Sequence, residues 1–477
     1  MPVGLGVDRR RPARAACFLA VATAVLSPGY AAGQEAGPVV ARRPLGRDVR
    51  VYQPAPGEAG RIDRPAVENP TGPLALRDAV ALALLHHPEL AAFAWETRAL
   101  EARILQSSRP PNPTLDVLIE DFGAGRVTGA DRDQPVQPQA TLQLSQLIEL
   151  GGKRTARQRL AERDRDLAAW DYETARVQVL TAVSATFTDV LAAQETVALS
   201  DQTMRLVSQV QENVAARVAA GVVSPIEETR ANVALAAVRT EAARARRMLD
   251  ASRTRLALLW GSAAPLFTSV VGDLKAEPAP LPDNSVLAAL LTQSPELARW
   301  AAELSQREAV LALERSRRVI DVAVSAGYRR YTTVDSNALV VGASIPLPLF
   351  NRNKGGIEEA RLRLAKTHED RRAAEARVAA QLAEAYAALA TAHDEITILR
   401  TAVLPGAQQA FDAVSEGYRL GRFGFLDVLD AQRTLIGAGS QYLRALSDYY
   451  KAVANVERLI GAPLPAGTSL PPLGAKE

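Results

Sequence analysis

Residues 418–432 read Tyr418-Arg-Leu-Gly421-Arg-Phe-Gly424-Phe-Leu-Asp427-Val-Leu-Asp430-Ala-Gln432. Two long helical patterns meet here. The glycines break the first, and acidic residues open the second. Two hundred positions earlier stands a copy, Gly221-Val-Val-Ser224-Pro225-Ile226-Glu227-Glu-Thr-Arg230-Ala231-Asn232. Gly221 matches Gly421, Glu227 matches Asp427, and Ala231-Asn232 matches Ala431-Gln432.

The correspondence continues outward. Leu259-Trp260-Gly261 matches Leu459-Ile460-Gly461, and Leu147 to Leu150 matches Leu347 to Phe350. Pro88-Glu89-Leu90 matches Pro295-Glu296-Leu297 at an offset of 207. Matches in one order along the chain mark a duplication of about 200 residues, not an array of short repeats.

The pI of 9.0 overstates the basic character. The chain has 56 basic and 53 acidic side chains; Arg9, Arg10, Arg11, Arg14 and Asp8 lie in the first 32 residues, leaving 52 of each. A nucleic-acid binder would need a basic face, and the remainder has no such cluster. Residues 1–32 have the form of a signal peptide, with a basic start, the apolar run Cys17 to Leu26, and small residues to Ala32. A disordered basic tail is the plainer alternative. Cys17 is the only cysteine, so the mature chain would have neither disulfides nor thiolate metal sites. No later apolar run reaches 18 residues, the length of a membrane helix.

Residues 33–73, rich in Pro, Gly and Arg, suggest an extended leader. A helix is expected over 74–108, with His86 and His87 near its start. Adjacent histidines point to different sides of a helix and have no third ligand nearby, so a solvated pair is favoured over a metal site. After Pro110-Pro111-Asn-Pro113 the period changes to two. Leu115, Val117 and Ile119 alternate with Asp116 and Glu120, although Leu118 blurs the pattern. The loop Gly123–Pro138 follows, then a second alternating run with Leu142 and Leu144. The other copy is cleaner, with Val322, Val324, Ala326 and Tyr328, then Leu339, Val341, Ala343 and Ile345. Strands are expected over about 113–123, 139–148, 320–331 and 337–346.

About ten residues is the length of a tilted strand crossing a bilayer. A small soluble sheet laid against the helices is the alternative. Four strands cannot close a barrel, since about eight is the minimum. Open edges are not tolerated in lipid, so spanning strands require an oligomer, and a trimer supplies twelve.

The helices are longer than any single core requires. Lys153 to Ala219 holds neither proline nor glycine, and those 67 positions span roughly 100 Å. Val183, Val190, Val197, Met204 and Val218 fall on a seven-residue period, with Gln211 the exception, as do Leu429, Ile436, Leu443 and Tyr450. Such a period means coiled-coil packing. The matching segment Lys354 to Leu420 is expected to break at Pro405-Gly406 and Gly417. Further helices are expected over 225–260, 283–316 and 425–460, with a linker at 262–282 and a flexible tail at 462–477.

Together, the signal peptide, the duplicated helix–hairpin–long helix–turn–helix and the motif Gly421-x5-Asp427-Val-Leu-Asp430-Ala resemble the TolC family of outer-membrane efflux proteins. The likeness covers roughly residues 74–461, as two repeats over 74–261 and 283–461. Leu147-Ile-Glu-Leu-Gly151-Gly152-Lys153-Arg154 is similar to the heavy-metal, cobalt–zinc–cadmium type subgroup.

The resemblance implies a mainly α fold with a small β part. Long coiled-coil helices would form a trimeric periplasmic α-barrel, and four strands per chain a twelve-stranded barrel in the outer membrane. It implies a passive exit duct, not an enzyme, joined to a periplasmic adaptor and an inner-membrane proton-driven transporter of the resistance-nodulation-division type. Gly123–Pro138 and Thr332–Asn337 would be extracellular loops. Gly221, Val222 and Val223 with Gly421, Arg422 and Phe423 would be the tips that dock the adaptor, for which an ordinary helical turn is the plainer account. Asp427 and Asp430 would ring a gate tethered by Tyr418 and Glu227, although Asp427 alone also suits a helix N-terminus. The arginine expected two positions after Gly421 is Phe423 here, so one ionic tether is missing.

No Ser-His-Asp set, phosphate loop or metal-ligand spacing is present, so no catalytic residue, metal site or cofactor is assigned. Heavy-metal cations are the expected cargo. Drugs or polypeptide through the same duct, and a periplasmic coiled-coil scaffold without a pore, remain as alternatives.

Overall fold

The computed structural model describes residues 69–121, 138–332 and 335–464. The expected signal peptide, most of the leader, nearly all of the loop 123–138, residues 333–334 of the second loop and most of the tail lie outside them.

Two long antiparallel helix pairs dominate the chain. In the first copy α1 (Leu76–His86) and α2 (Pro88–Ser107) lead into strands β2 (Thr114–Glu120) and β3 (Gln139–Ile148). Then come α3 (Lys153–Ala219) and α4 (Pro225–Leu258). In the second, α5 (Asn284–Leu290) and α6 (Pro295–Ser316) precede β5 (Val322–Tyr331) and β6 (Ser336–Ser344). They are followed by α7 (Lys354–Ile398), α8 (Leu404–Arg419) and α9 (Phe425–Ile460). Two short strands, β1 (Pro73–Ala75) and β4 (Ser269–Val271), complete the set.

Helix α3 packs against α4, α6, α2 and α9. The half of α3 nearer the strands is lined by Ala161, Ala168 and Ala175, all buried and seven apart, and the same spacing of small buried residues recurs in α7 at Ala360, Thr367 and Ala374. Small residues at heptad spacing let backbones approach closely over several turns. The valine row behaves differently. Val183 and Val190 are fully buried, but Val197, Met204 and Val218 are half-buried in the single chain. Lower down, the buried positions are Thr203, Val207 and Val214. The straight 3.6-residue helix drifts out of a strict seven-residue register, so the core row changes residues along 67 positions.

Four expectations need correction. The single helix over 74–108 is two helices, because Pro88 cannot donate a backbone hydrogen bond and opens α2 at its first position. His87 caps that start, its Nδ1 accepting from Glu89 N at 3.2 Å, so its imidazole serves the backbone. The helix expected over 283–316 likewise restarts at Pro295, after a 3-10 turn over Leu291–Gln293. Gly417 does not interrupt α8. Around Pro405 the chain stays helical by widening into a π-turn at Leu399–Val403, which absorbs the missing donor without a break.

The linker 262–282 is more than a connection. β4 pairs in parallel with β1 across about 200 residues, Leu74 opposite Val270. The Gln194 side chain of α3 then acts as a third strand, accepting from Val270 N at 2.8 Å and donating to Val270 O at 3.1 Å. Trp260, Phe267, Leu274 and Leu287 bury themselves around this knot together with Phe187 and Tyr449. This cluster joins the two copies, Phe187 coming from the first and Tyr449 from the second.

Candidate functional site

The four membrane-length strands form one sheet of order β2-β3-β5-β6, antiparallel throughout. Registers Val117↔Leu142, Leu142↔Tyr328 and Tyr328↔Leu339 carry one apolar row across the sheet, and all four side chains are exposed. The opposite face reads Asp116↔Gln143↔Gly327↔Val340 and Thr114↔Ser145↔Ser325↔Gly342. It is polar and hydrogen-bonded within itself, Ser145 Oγ donating to Asp116 at 3.0 Å. An exposed apolar face beside a polar one is what lipid outside and water inside require. β2 and β6 are open edges, so closure needs further copies. Among the described residues no helix is long and apolar enough to cross a membrane.

Where the sheet meets the helices, charges gather. Gly151 and Gly152 turn the chain at positive φ, and Lys153 Nζ meets Asp321 Oδ1 at 2.8 Å. Leu150 N donates to the same oxygen at 3.0 Å. Burial pushes the Asp321 carboxyl up, but Lys153, the Leu150 N–H and Arg157 outweigh it and leave it below the ordinary aspartate value. Arg157 grips Glu149 through both guanidinium nitrogens, one contact being 2.9 Å, and this hydrogen bonding lowers the Glu149 carboxyl.

At the far end of the helices the two turns lie together. Gly221 and Gly421 take φ of 71° and 76°, a conformation that side chains resist. Tyr418, at the end of α8, is the centre of the tip. Its ring is buried against Phe425 at 5.9 Å, and the Arg217 guanidinium lies 4.4 Å from the ring centre. Arg217 Nη1 also donates to Tyr418 O at 2.9 Å. The Tyr418 hydroxyl donates to Glu227 Oε2 at 3.1 Å. Burial, then Glu227, push the phenol up more than Arg217 lowers it, so it stays a proton donor.

The duplicated third helical position has two roles. In α4 it is Glu227, which receives Tyr418. In α9 it is Asp427, which accepts from Gly424 N at 2.8 Å and caps its own helix. Ser224 supplies the cap in the first copy, accepting from Ile226 N at 3.4 Å. Asp430, one turn on, is exposed on the same face as Asp427. Val222 is 62% exposed and Phe423 48%, with Gly221, Gly421 and Arg422 exposed beside them and Val223 half-buried. Phe423 lies over Gly417, so close that a Cβ there would come within 2.1 Å of its ring. The structure thus brings Tyr418 and Glu227 together, ties Asp427 to its own helix start, and leaves Asp427 and Asp430 exposed at one edge. The Arg217 contact was not anticipated; its only sequence signal is an arginine one turn before the glycine. No group of three or more His, Cys, Asp or Glu fit to hold a metal ion occurs among the described residues.

The family model "Outer membrane efflux protein" matches residues 79–262 and again 286–462, one span per copy. The chain belongs to the outer membrane efflux protein family. It is 37% identical over 390 residues to the cobalt-zinc-cadmium resistance protein CzcC of Cupriavidus metallidurans, covering 82% of this chain and 90% of that one. The nickel and cobalt resistance protein CnrC of the same organism is 29% identical, covering 67% and 73%. A crystal structure of CusC superposes with a TM-score of 0.68 at 16% identity, covering 81% of this chain and 92% of that one. A membrane protein from Pseudomonas aeruginosa does so at 0.69 and 20%, covering 81% and 90%. The fold is therefore the helical barrel with a small β part found in these efflux channels, located in the outer membrane with a long periplasmic extension. Efflux-channel families of this kind work as passive ducts.

Proposed function

We propose that this outer membrane efflux protein is the trimeric exit duct of a tripartite pump for divalent heavy-metal cations. The observation that carries the proposal is the likeness to the cobalt-zinc-cadmium resistance protein, which runs nearly the whole length of that relative. A polar inner strand face suits a conduit that passes hydrated cations. Selection of the metal then belongs to an inner-membrane proton-driven transporter, and the periplasmic adaptor meets the exposed tips at Gly221, Val222, Val223, Gly421, Arg422 and Phe423.

Asp427 and Asp430 are the gate in this proposal, and Tyr418 with Glu227 its tether. Around a three-fold axis each aspartate recurs three times. Two carboxylates about 6 Å apart repel by roughly 0.7 kcal/mol in water, and by more where water is scarce. A closed tip needs tethers against that repulsion, and the Tyr418–Glu227 hydrogen bond supplies one per chain.

Growth of a deletion strain on graded zinc, cobalt and cadmium, set beside a drug panel, tests the function. Loss of metal tolerance restored by the wild-type gene is expected. Normal growth on all three metals with sensitivity to drugs would reject the metal cargo and keep the duct.

A further inference from the structure

On the polar face of β2, β3, β5 and β6 the described residues include three charged side chains, Asp116, Glu120 and Arg329. Arg329 is the single cation. Its position is near the outer end of β5, far from the helices, so in a closed barrel it recurs around the mouth of the duct. Three free guanidiniums there would form a positive ring, which repels cations and favours anions.

The structure shows the guanidinium lying along the wall. Arg329 and Thr141 are register partners on β5 and β3, and Arg329 Nε donates to Thr141 Oγ1 at 2.9 Å. Thr141 is only 3% exposed, although it belongs to the face that lines the water. The arginine side chain lies across it. Beyond Thr141, on β2, Glu120 Oε2 is 3.7 Å from Arg329 Nη2. That oxygen is enclosed and has no hydrogen-bond partner among the described residues, so the guanidinium is its counter-charge. The arginine thus crosses from one strand over its neighbour to a third.

We propose that Thr141 and Glu120 are positioning residues that pin Arg329 flat against the barrel wall and keep the outer mouth permeable to cations. A pinned, paired charge presents a field that falls off faster than that of a bare one. Among the described residues Asp116, in the next polar row, then gives the polar face of the sheet a net negative charge. This proposal rests on the cation-duct function above and adds the determinant of selectivity at the outer end.

The test uses purified full-length trimers in planar bilayers, with permeability ratios of K+ to Cl− taken from reversal potentials in a KCl gradient. Salt is kept near 0.1 M, where charges act over about 10 Å. Every protein carries Asp427→Asn and Asp430→Asn, so that the tip does not set the ratio. Thr141→Val and Glu120→Asp each leave the net charge unchanged. Both should free the guanidinium and lower the ratio at least twofold. Adding Arg329→Gln to either should return it to the parent value or above. If Thr141→Val fails to assemble, Glu120→Asp, a change at a partly exposed side chain, carries the same prediction. A cation-selective parent that neither variant moves overturns the proposal alone, as does a low ratio that persists after Arg329→Gln. A parent without cation preference overturns it too, and the metal-growth assay then decides separately whether the duct function falls with it.

Discussion

An arginine placed at Val341 should strike the membrane-spanning part of the fold more heavily than one placed at Val340. The two residues are neighbours on β6 with opposite directions. Val341 is 75% exposed on the apolar face, opposite Ala326. Val340 faces the polar row, opposite Gly327 and in line with Gln143 and Asp116. β6 runs nine residues from Ser336 to Ser344. With a rise of about 3.4 Å per residue and a tilt near 40°, Val341 falls about 13 Å below the outer end of the strand. The apolar band of such barrels is about 25 Å tall, so Val341 lies near its middle. An arginine there costs about 2–4 kcal/mol per chain, or roughly 6–12 kcal/mol for a trimer. At Val340 the same side chain meets water and a carboxylate row, and the cost should be within about 1 kcal/mol. Urea unfolding of trimers in lipid vesicles, with heat resistance on gels as a second readout, measures both. Equal destabilisation by the two variants, or a harmless Val341→Arg, would refute the assignment of the two faces and with it the spanning sheet.

Gly417→Ala should abolish efflux while leaving trimers in the membrane, because the new methyl displaces Phe423 from the tip that meets the adaptor; adaptor pull-down and metal tolerance check it. Asp427→Ala with Asp430→Ala should remove block by multivalent cations applied from the tip side, and unchanged block would reject the gate. Tyr418→Phe with Glu227→Ala should raise single-channel conductance, since both ends of the tether are lost. At the junction, the Asp321 and Glu149 carboxyls are held below their ordinary values, so they bind protons less readily folded than unfolded. Their contribution to stability is full above the ordinary carboxylate range and is lost as pH falls through it toward the depressed values. Urea midpoints against pH should therefore fall more steeply for wild type than for Asp321→Asn; parallel curves would remove Asp321 from the account.

The strands, the long helices and the two tips were legible because each is a local periodicity. Alternation over ten residues gives a strand whichever partner it finds, and a run of 67 residues without proline or glycine gives a helix. The polar and apolar faces of β2, β3, β5 and β6 follow from the same alternation. Glu227 and Tyr418 were singled out through family likeness, and the chain does bring them within hydrogen-bond distance. The break at His87-Pro88 was also written in the sequence. It was missed because a proline at the first helical position favours a new helix as readily as it ends the old one.

What only the tertiary structure decided are the contacts between distant segments with no periodic signal. β1 and β4 are three residues each, too short to announce themselves, and they exist because each completes the other against Gln194. Arg217 is one arginine among many until the two turns are laid side by side and its guanidinium covers Tyr418. Asp427 and Glu227 occupy one duplicated position, yet one turns back to the Gly424 N–H and caps its helix while the other receives the Tyr418 hydroxyl. Arg329 would read as an exposed charge on an alternating strand, and the register with β3 and β2 turns it along the wall. Local pattern sets which way a side chain points; the partner it meets depends on which strands and helices the fold makes neighbours.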